Sequence, residues 1–215
     1  MRLTKLKYPV SVLSMFFAFV MLSAFTIQKT TQQPATSAGV ISVKSLNLAK
    51  STVVWIGKKI TGQHTGTVNI SSGTITTKNG ILGGGEFTID MNSLKCTDIQ
   101  DSGYNAKLIN HLKSEDFFNI AQYPVATLKI TKVLKIKNKS NAYNLTGNLS
   151  IKGITKAISF PATFKKAGNA YEAVATISVD RTKWDIKYGS ANFFEGLGDK
   201  AIKNEFVLNV NIVTN

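Results

Sequence analysis

Apolar residues recur at every second position along much of the second half of the chain, mostly with polar residues between them. The alternating segments cover residues 126–131, 143–151, 158–164, 171–179 and 206–212. A period of two predicts β-strands with one apolar face, and the short turns between them predict that consecutive strands run antiparallel. Such strands are expected to form a sandwich or to close into a barrel.

The first half of the chain is less regular, but it also predicts β-strands separated by turns. Val53–Ile56 and residues 64–70 are predicted strands, and Ser72–Gly73 is predicted to be a turn after the second one. Asn79–Gly80 is a dipeptide typical of tight β-hairpins. The three glycines at positions 83–85 predict a bulge or a sharp bend in the strand that follows.

One stretch near the middle of the chain has a helical period instead. Tyr104, Leu108 and Leu112 recur at every fourth position and therefore share one face of a predicted helix. Ser102 is a candidate N-cap for this helix, which is expected to end near Ser114. The pattern therefore predicts a helix inserted between two sets of strands.

An aromatic connector follows the predicted helix. Phe117 and Phe118 are adjacent, and adjacent residues do not share a face of a helix or strand. We expect them to anchor the connector in two directions. Pro124 disfavours helix at Tyr123 and leads into an extended segment.

Residues 1–24 are predicted to be a secretory signal peptide. Three basic residues in the first seven positions precede an apolar run over residues 10–25. That run is shorter than the roughly 20 residues that a membrane-spanning helix needs. Cleavage is expected near Ala24, although Leu22 occupies a position where small residues are typical. An uncleaved anchor is therefore the alternative.

The rest of the chain divides into a linker and one domain. Residues 25–42 are rich in Thr, Gln, Ser and Ala, which predicts a linker. Residues 43–215 are the predicted folded domain, and a domain of this size can bury a core without covalent help. The single cysteine, Cys96, allows no internal disulfide and is expected to be structural.

Charge and composition limit the possible partners. The 215 residues carry a net charge of +14, with 43% hydrophobic and 18% charged residues, which is typical of a globular domain. The positive charge would suit an anionic membrane surface, lipid head groups or nucleic acid. Export argues against nucleic acid. The scattering of lysines over outward strand positions is also explained by a solvated basic surface.

Four segments, taken together, resemble a known family. They are Trp55–Lys58 with Gly62–Gly66, Gly84–Met91, the run HLKSEDFFNIAQYPVA at positions 111–126, and Asp180–Gly189. In this order they resemble the YceI-like family, which are exported bacterial polyisoprenoid-binding proteins. The resemblance spans nearly the whole predicted domain. It implies a mainly β fold: an antiparallel, lipocalin-like β-barrel of about eight strands with a helical insert after the first strands.

The resemblance also implies an apolar tunnel that holds an isoprenoid or fatty-acyl chain. Gly147, Ala173 and Ala175 are small, and at inward positions they would leave room for such a chain. The expected tunnel lining is Trp55, Phe87, Ile89, Phe117, Phe118, Leu128, Leu145, Leu149, Phe160, Ala173, Ala175, Phe193 and Phe206.

Polar residues near the aromatic loops are candidates for contact with a lipid head group. These candidates are His64, Arg181 and Tyr188. Structural roles are the alternative, with Asp180 and Arg181 fixing a loop and His64 bonded to the backbone. His111 is expected to be exposed on the helix. The two histidines and Cys96 lack metal-ligand spacing, so no metal site is predicted.

The predicted function is that of an exported binding protein, in the periplasm or secreted, that carries, stores or sequesters an apolar lipid. No catalytic residues and no cofactor are predicted, because the chain shows no nucleophile paired with a base and no paired carboxylates. The alternatives are a structural or adhesion module with a packed core, and a hydrolase of envelope lipids or glycans.

Two further alternatives concern the assembly. An outer-membrane barrel also alternates, but it turns its apolar face to lipid. The helical insert, the small residues on the apolar faces and the lack of an aromatic C-terminus argue against that arrangement. The sequence leaves open whether two barrels pair as a homodimer.

Export with cleavage near Ala24 gives the first testable prediction. N-terminal sequencing of protein from the cell-envelope fraction should return a chain that begins shortly after Ala24. An intact Met1 on protein found in the cytosol would contradict it.

Overall fold

The computed structural model describes residues 39–215. The predicted signal peptide, and all but the last four residues of the predicted linker, lie outside the described residues. Within residues 39–215, no helix is long and apolar enough to cross a lipid bilayer. The strands are β1 (Ile41–Ser45), β2 (Thr52–Lys59), β3 (Gly62–Lys78), β4 (Ile81–Cys96), β5 (Val125–Lys135), β6 (Ala142–Ile151), β7 (Ile154–Ala167), β8 (Ala170–Asp180) and β9 (Ile202–Val213). One α-helix, α1 (Ser102–Lys113), and two 3₁₀ helices, Arg181–Trp184 and Gly198–Lys200, complete the described elements.

Strands β2 to β9 form a closed antiparallel barrel. Each pairs with the next along the chain, and β9 pairs back with β2, which closes the ring. The short strand β1 pairs with the last residues of β3, beyond the point where β2 begins. A bridge from Leu46 to Thr214 joins this added strand to the end of β9. The predicted eight-strand antiparallel barrel with a helical insert is confirmed.

The barrel has two different ends. The helix end carries α1, the β2–β3 and β6–β7 turns, and the loop from Asp185 to Ala201. The opposite end, which we call the hairpin end, carries the turns after β3, β5 and β7. The hairpin end comprises β1 with the loop to β2, and residues 74–85, 130–146, 161–174 and 210–215.

The apolar faces of the strands point into the barrel. On β6, Tyr143, Leu145, Leu149 and Ile151 are buried, while the polar residues between them are exposed or only partly covered. The interior is therefore the apolar side of the sheet, and threonine, asparagine and lysine side chains cover much of the outside.

Helix α1 begins one residue earlier than the sequence indicates. Asp101, and not Ser102, is the N-cap, because its side chain accepts a hydrogen bond from Tyr104 N at 2.8 Å. Tyr104 was expected to share the inward face, but it is 69% exposed. Leu108 and Leu112 are partly buried against the core.

The predicted turn at Ser72–Gly73 is wrong, because β3 runs unbroken through it. Gly73 is instead a position of close packing: a Cβ there would lie 2.8 Å from Leu46 Cδ1 and 2.9 Å from Glu86 O. The predicted hairpin at Asn79–Gly80 is confirmed, and both of its residues have positive φ. The pairing register of β4 shifts around Gly83, as expected for a bulge.

Two pairs of neighbouring strands are hydrogen-bonded over only part of their length. Strands β4 and β5 pair only between Glu86–Asp90 and Val125–Lys129, which leaves a seam at the hairpin end. Strands β7 and β8 pair only from Ala162 onward, and Pro161 marks the limit because proline has no N–H to donate.

Gly66 fixes the spacing between β3, β4 and the indole ring of Trp55. A Cβ at Gly66 would lie 1.8 Å from Lys95 O and 2.6 Å from Trp55 Cζ2. The same carbonyl accepts a hydrogen bond from Trp55 Nε1 at 3.0 Å. No side chain can be added at Gly66 unless the two strands move apart.

We therefore predict that Gly66→Ala lowers the free energy of unfolding by about 3 kcal/mol, the upper part of the range for overpacking. Urea denaturation followed by tryptophan fluorescence measures the change. Gly62→Ala is the matched control, because a Cβ there would meet no atom within 4 Å. Equal stability of Gly66→Ala and the wild type would contradict this account of the packing.

Candidate functional site

The barrel encloses two apolar cavities. The larger, of about 320 Å³, lies at the helix end, and the smaller, of about 100 Å³, lies toward the hairpin end. Val53, Ile89, Leu149 and Leu208 line both cavities. These four residues therefore lie between the two cavities, which follow one another along the barrel.

The larger cavity is covered by the helical insert. Leu108 and Leu112 of α1 line it together with Phe117 and Phe118 of the connector. The helix thus contributes its partly buried face to the cavity. The aromatic connector is held by backbone hydrogen bonds from Phe118 N to Leu112 O at 3.1 Å and from Ile120 N to Lys113 O at 3.0 Å.

The smaller cavity is lined by inward residues of the strands. Ala173 and Ala175 of β8 face it, and so does Ala162 of β7. Larger apolar residues complete the lining: Phe87, Leu128, Leu145 and Phe160 are among them. Alanine at these positions leaves space that a larger side chain would occupy.

The structure brings together the expected tunnel residues with one exception. Trp55, Ile89, Phe117, Phe118, Leu149 and Phe206 line the larger cavity, and Phe87, Ile89, Leu128, Leu145, Leu149, Phe160, Ala173 and Ala175 line the smaller one. Phe193 lines neither cavity: it is 49% exposed, and Lys187 Nζ lies 5.3 Å from its ring centroid. The role of the other residues in ligand binding stays a prediction.

Gly147 has a different role from the one its size suggests. A Cβ there would lie 2.9 Å from Lys129 O and 3.0 Å from Leu128 Cδ1. The glycine therefore permits the close approach of β5 and β6, and it is not among the residues that line a cavity.

Phe117 and Phe118 pack against different partners. Phe117 lies edge-on to His111, with ring centroids 5.0 Å apart, and Tyr188 packs on both rings. Phe118 lies edge-on to Phe206 of β9 at 6.4 Å. His111 was expected to be simply exposed. It is partly buried in this aromatic cluster, and its Nε2 lies 3.0 Å from Asp116 Oδ2.

Arg181 is a buried cation at the helix end. Its residue is only 4% exposed, and it lines the larger cavity. The guanidinium donates to three backbone carbonyls: Ile186 O at 2.8 Å, Lys203 O at 3.1 Å and Ile202 O at 3.2 Å. It also lies 5.9 Å from the ring centroid of Phe117.

Arg181 therefore fixes the loop after β8 to the start of β9. No carboxylate within residues 39–215 forms a salt bridge with its guanidinium. Burial lowers its pKa from the usual value. Asp180 contributes to the same turn by accepting hydrogen bonds from Thr182 N and Thr182 Oγ1.

His64 is bonded to a carboxylate and not to the backbone as the structural alternative had it. Its Nδ1 lies 2.9 Å from Asp98 Oδ2. Asp98 Oδ1 also accepts hydrogen bonds from Thr65 N at 2.9 Å and from Cys96 Sγ at 3.2 Å. His64 lines the larger cavity, whereas Tyr188 does not and is 43% exposed.

These contacts set the titration of Asp98 and Cys96. Burial acts to raise the pKa of Asp98, but hydrogen bonds from Thr65, His64 and Cys96 outweigh it and lower the pKa to about 2. The stability that this provides is present at neutral pH and is lost as the pH falls from about 3.8 to about 2. Burial raises the pKa of the Cys96 thiol, which disfavours the reactive thiolate.

Polar groups in the larger cavity gather at its helix-end side. Besides His64 and Arg181, they are Lys58, Lys59, Gln63, Lys203 and Glu205. The smaller cavity has no charged lining residue. Charged and polar residues therefore border the cavities at the helix end only, while the cavity surfaces themselves are almost entirely apolar.

Some lining residues were not foreseen as such, although their patterns were visible. Val53 and Leu208 follow the period of two of their strands, and Leu112 follows the helical period. Asp98 gave no signal, because it lies in the irregular segment between β4 and α1. Within residues 39–215, no group of three or more His, Cys, Asp and Glu side chains could hold a metal ion.

Solved structures with a similar fold are known. Burkholderia cenocepacia BcnA has a TM-score of 0.63 and 22% identity, covering 79% of this chain and 99% of that one. A polyisoprenoid binding domain from Saccharophagus degradans, implicated in plant cell wall breakdown, has a TM-score of 0.61 and 15% identity. It covers 82% of this chain and 99% of that domain. At these identities, the similarity establishes the fold.

Curated proteins with a similar sequence are also known. UPF0312 proteins from Yersinia enterocolitica and Yersinia pestis are 28% identical over 138 residues, which is 59% of this chain and 67% of each relative. The family model of the YceI-like domain matches residues 45–214. Because this match covers nearly the whole barrel and most of the chain, the protein belongs to the YceI-like family.

Proposed function

We propose that this protein is an exported binding protein that holds one long-chain isoprenoid or fatty-acyl lipid inside its barrel. The observation that carries this proposal is the pair of apolar cavities that follow one another along the barrel interior. A packed-core module would fill this space with side chains. The polyisoprenoid-binding domain that shares the fold supports the same proposal.

The shape of the space favours a slender chain. A methylene group is about as large as a water molecule, which occupies roughly 30 Å³ in the liquid. The larger cavity then has room for about ten such groups and the smaller for about three. Each buried methylene contributes about 0.8 kcal/mol, so affinity can come mainly from chain length.

The distribution of polar groups gives the ligand a direction. Arg181 and His64 line only the larger cavity, and the smaller cavity is apolar. A polar head group would therefore lie at the helix end, with the chain pointing past Val53 and Leu208 toward the hairpin end. Arg181 keeps N–H groups beyond the three that it donates to backbone carbonyls.

We propose binding without catalysis. Cys96, the single cysteine of the chain, is buried and has a raised pKa, so its thiol is a poor nucleophile. Its partner Asp98 is held as a carboxylate by three hydrogen-bond donors. These contacts favour a structural role for the cluster over a hydrolase site. Carriage and sequestration would both use the same closed, apolar interior.

We predict that affinity for prenyl alcohols rises with the number of isoprene units and then levels off. The rise should be roughly fourfold per buried carbon at first. It should level off beyond about three units, because the two cavities are then full. Titration of the lipid-free protein, followed by tryptophan fluorescence or calorimetry, measures the series. Affinity that does not depend on length would indicate adsorption to the surface and would contradict the proposal.

A variant pair tests whether the smaller cavity is occupied. Ala175→Trp places an indole ring in that cavity, so the plateau should move to shorter chains while the lipid-free protein keeps nearly the same melting temperature. Ala157→Trp is the matched control, because Ala157 is exposed on β7. If Ala175→Trp instead melts far below the wild type and neither protein binds prenyl alcohols, the core is packed and the binding proposal fails.

A further inference from the structure

The positive charge of the barrel is concentrated at one end. The hairpin end carries nine lysines and a single acidic residue, Glu172. The remaining described residues carry thirteen basic and eleven acidic side chains, so their charges nearly cancel. The charge is therefore segregated along the barrel axis and not spread over the surface.

The loop between β5 and β6 forms the densest part of this end. Lys132 and Lys135 lie on β5, and Lys137 and Lys139 lie in the loop that follows. All four are exposed, and none forms a salt bridge. The nearest lysine on the same strand, Lys129, is neutralised by Glu86. The four lysines beyond it are free to meet an external anion.

Apolar side chains are also exposed at the hairpin end. Leu134, between Lys132 and Lys135, is 50% exposed. Ile81, at the first position of β4, is 53% exposed, and Ile41 and Val43 of β1 are 68% and 61% exposed. Ile41, Lys78 and Ile81 stand side by side across three paired strands. Exposed apolar groups next to lysines are typical of surfaces that insert shallowly into a bilayer interface.

The smaller cavity and the seam between β4 and β5 lie at the same end. Leu82 and Gly84 of β4, and Ile130 of β5, line the cavity. The two strands make no ladder hydrogen bonds to each other beyond Glu86 and Lys129. A bilayer at the hairpin end would therefore lie close to the apolar interior, on the side opposite to α1.

We propose that the hairpin end is a docking surface for an anionic lipid bilayer. The four lysines of the β5–β6 loop region bind acidic head groups, while Leu134 and Ile81 enter the interface. This orientation deepens the proposed function, on which it rests, because it brings the barrel to the membrane in which such a lipid is dissolved. Docking itself requires only the charge and the exposed apolar groups.

The test uses co-sedimentation of the mature protein with phosphatidylcholine vesicles that contain or lack phosphatidylglycerol. The wild type should bind only the anionic vesicles, and added salt should weaken binding, because exposed charges are screened. The variant K132Q/K135Q/K137Q/K139Q, called the hairpin variant, replaces all four lysines. It should lower vesicle affinity at least about tenfold, given the contribution of each lysine near an anionic surface.

The matched control removes the same charge from the helix end, in K95Q/K107Q/K183Q/K200Q. All four of these lysines are exposed, and none lines a cavity. This variant should bind anionic vesicles within about twofold of the wild type. A loss of binding in the control equal to that in the hairpin variant would show that only net charge matters. Wild-type affinity in the hairpin variant, or binding of a soluble polyanion without vesicle binding, would also overturn the proposal.

A second measurement separates docking from lipid binding. In vesicle-free titration with a prenyl alcohol, the hairpin variant should match the wild type, whereas its uptake of the same compound from anionic vesicles should be slower. If the wild type binds no prenyl alcohol, the proposed function fails, and vesicle co-sedimentation still decides docking. If uptake from vesicles is equally fast in both proteins, the hairpin end is not the transfer surface.

Discussion

Closure of the sheet on itself sets the width of the interior, and the candidate site follows from that width. Every strand from β2 to β9 has a partner on both sides, so the wall is hydrogen-bonded around its middle and no strand edge lies free there. An eight-strand ring leaves room for side chains or for one slender ligand. In this chain, alanines on β7 and β8 face the interior, and the helical insert covers one opening. The result is a narrow and apolar space.

Charged and polar residues border that space at one end only. Arg181 is buried at the helix end, where backbone carbonyls and the face of Phe117 hold its guanidinium. The charge is thus stabilised by backbone dipoles and an aromatic ring. The opposite end has no charged group inside the barrel but many lysines outside. The two ends therefore differ in opposite ways: the helix end has a cation inside the barrel, and the hairpin end has its positive charge on the outer surface.

Much of the fold could be predicted from local pattern. The alternation in β5 to β9, the Asn79–Gly80 turn and the bulge near Gly83 each depend on neighbouring residues, and each is confirmed. Features that depend on distant partners could not be predicted. Gly73 resembles a turn residue, but it lies within a strand, where its lack of a side chain lets Leu46 and the backbone of Glu86 pack closely. Gly147 likewise permits the close approach of the β5 backbone. Phe193 was expected to line the tunnel because it is aromatic, but its loop places it on the surface, away from both cavities. The N-cap at Asp101 and the His64–Asp98 pair depend on the path of an irregular segment.

Occupation of the barrel by lipid in the cell is the central claim, and native mass spectrometry tests it most directly. The measurement uses protein purified without detergent or refolding from the envelope fraction of cells that produce it. The account predicts a complex of one chain with one lipid, whose mass identifies an isoprenoid or fatty-acyl compound and which dissociates to the bare polypeptide on activation. A spectrum with only the polypeptide mass, from protein that also takes up no lipid when it is supplied, would contradict the account.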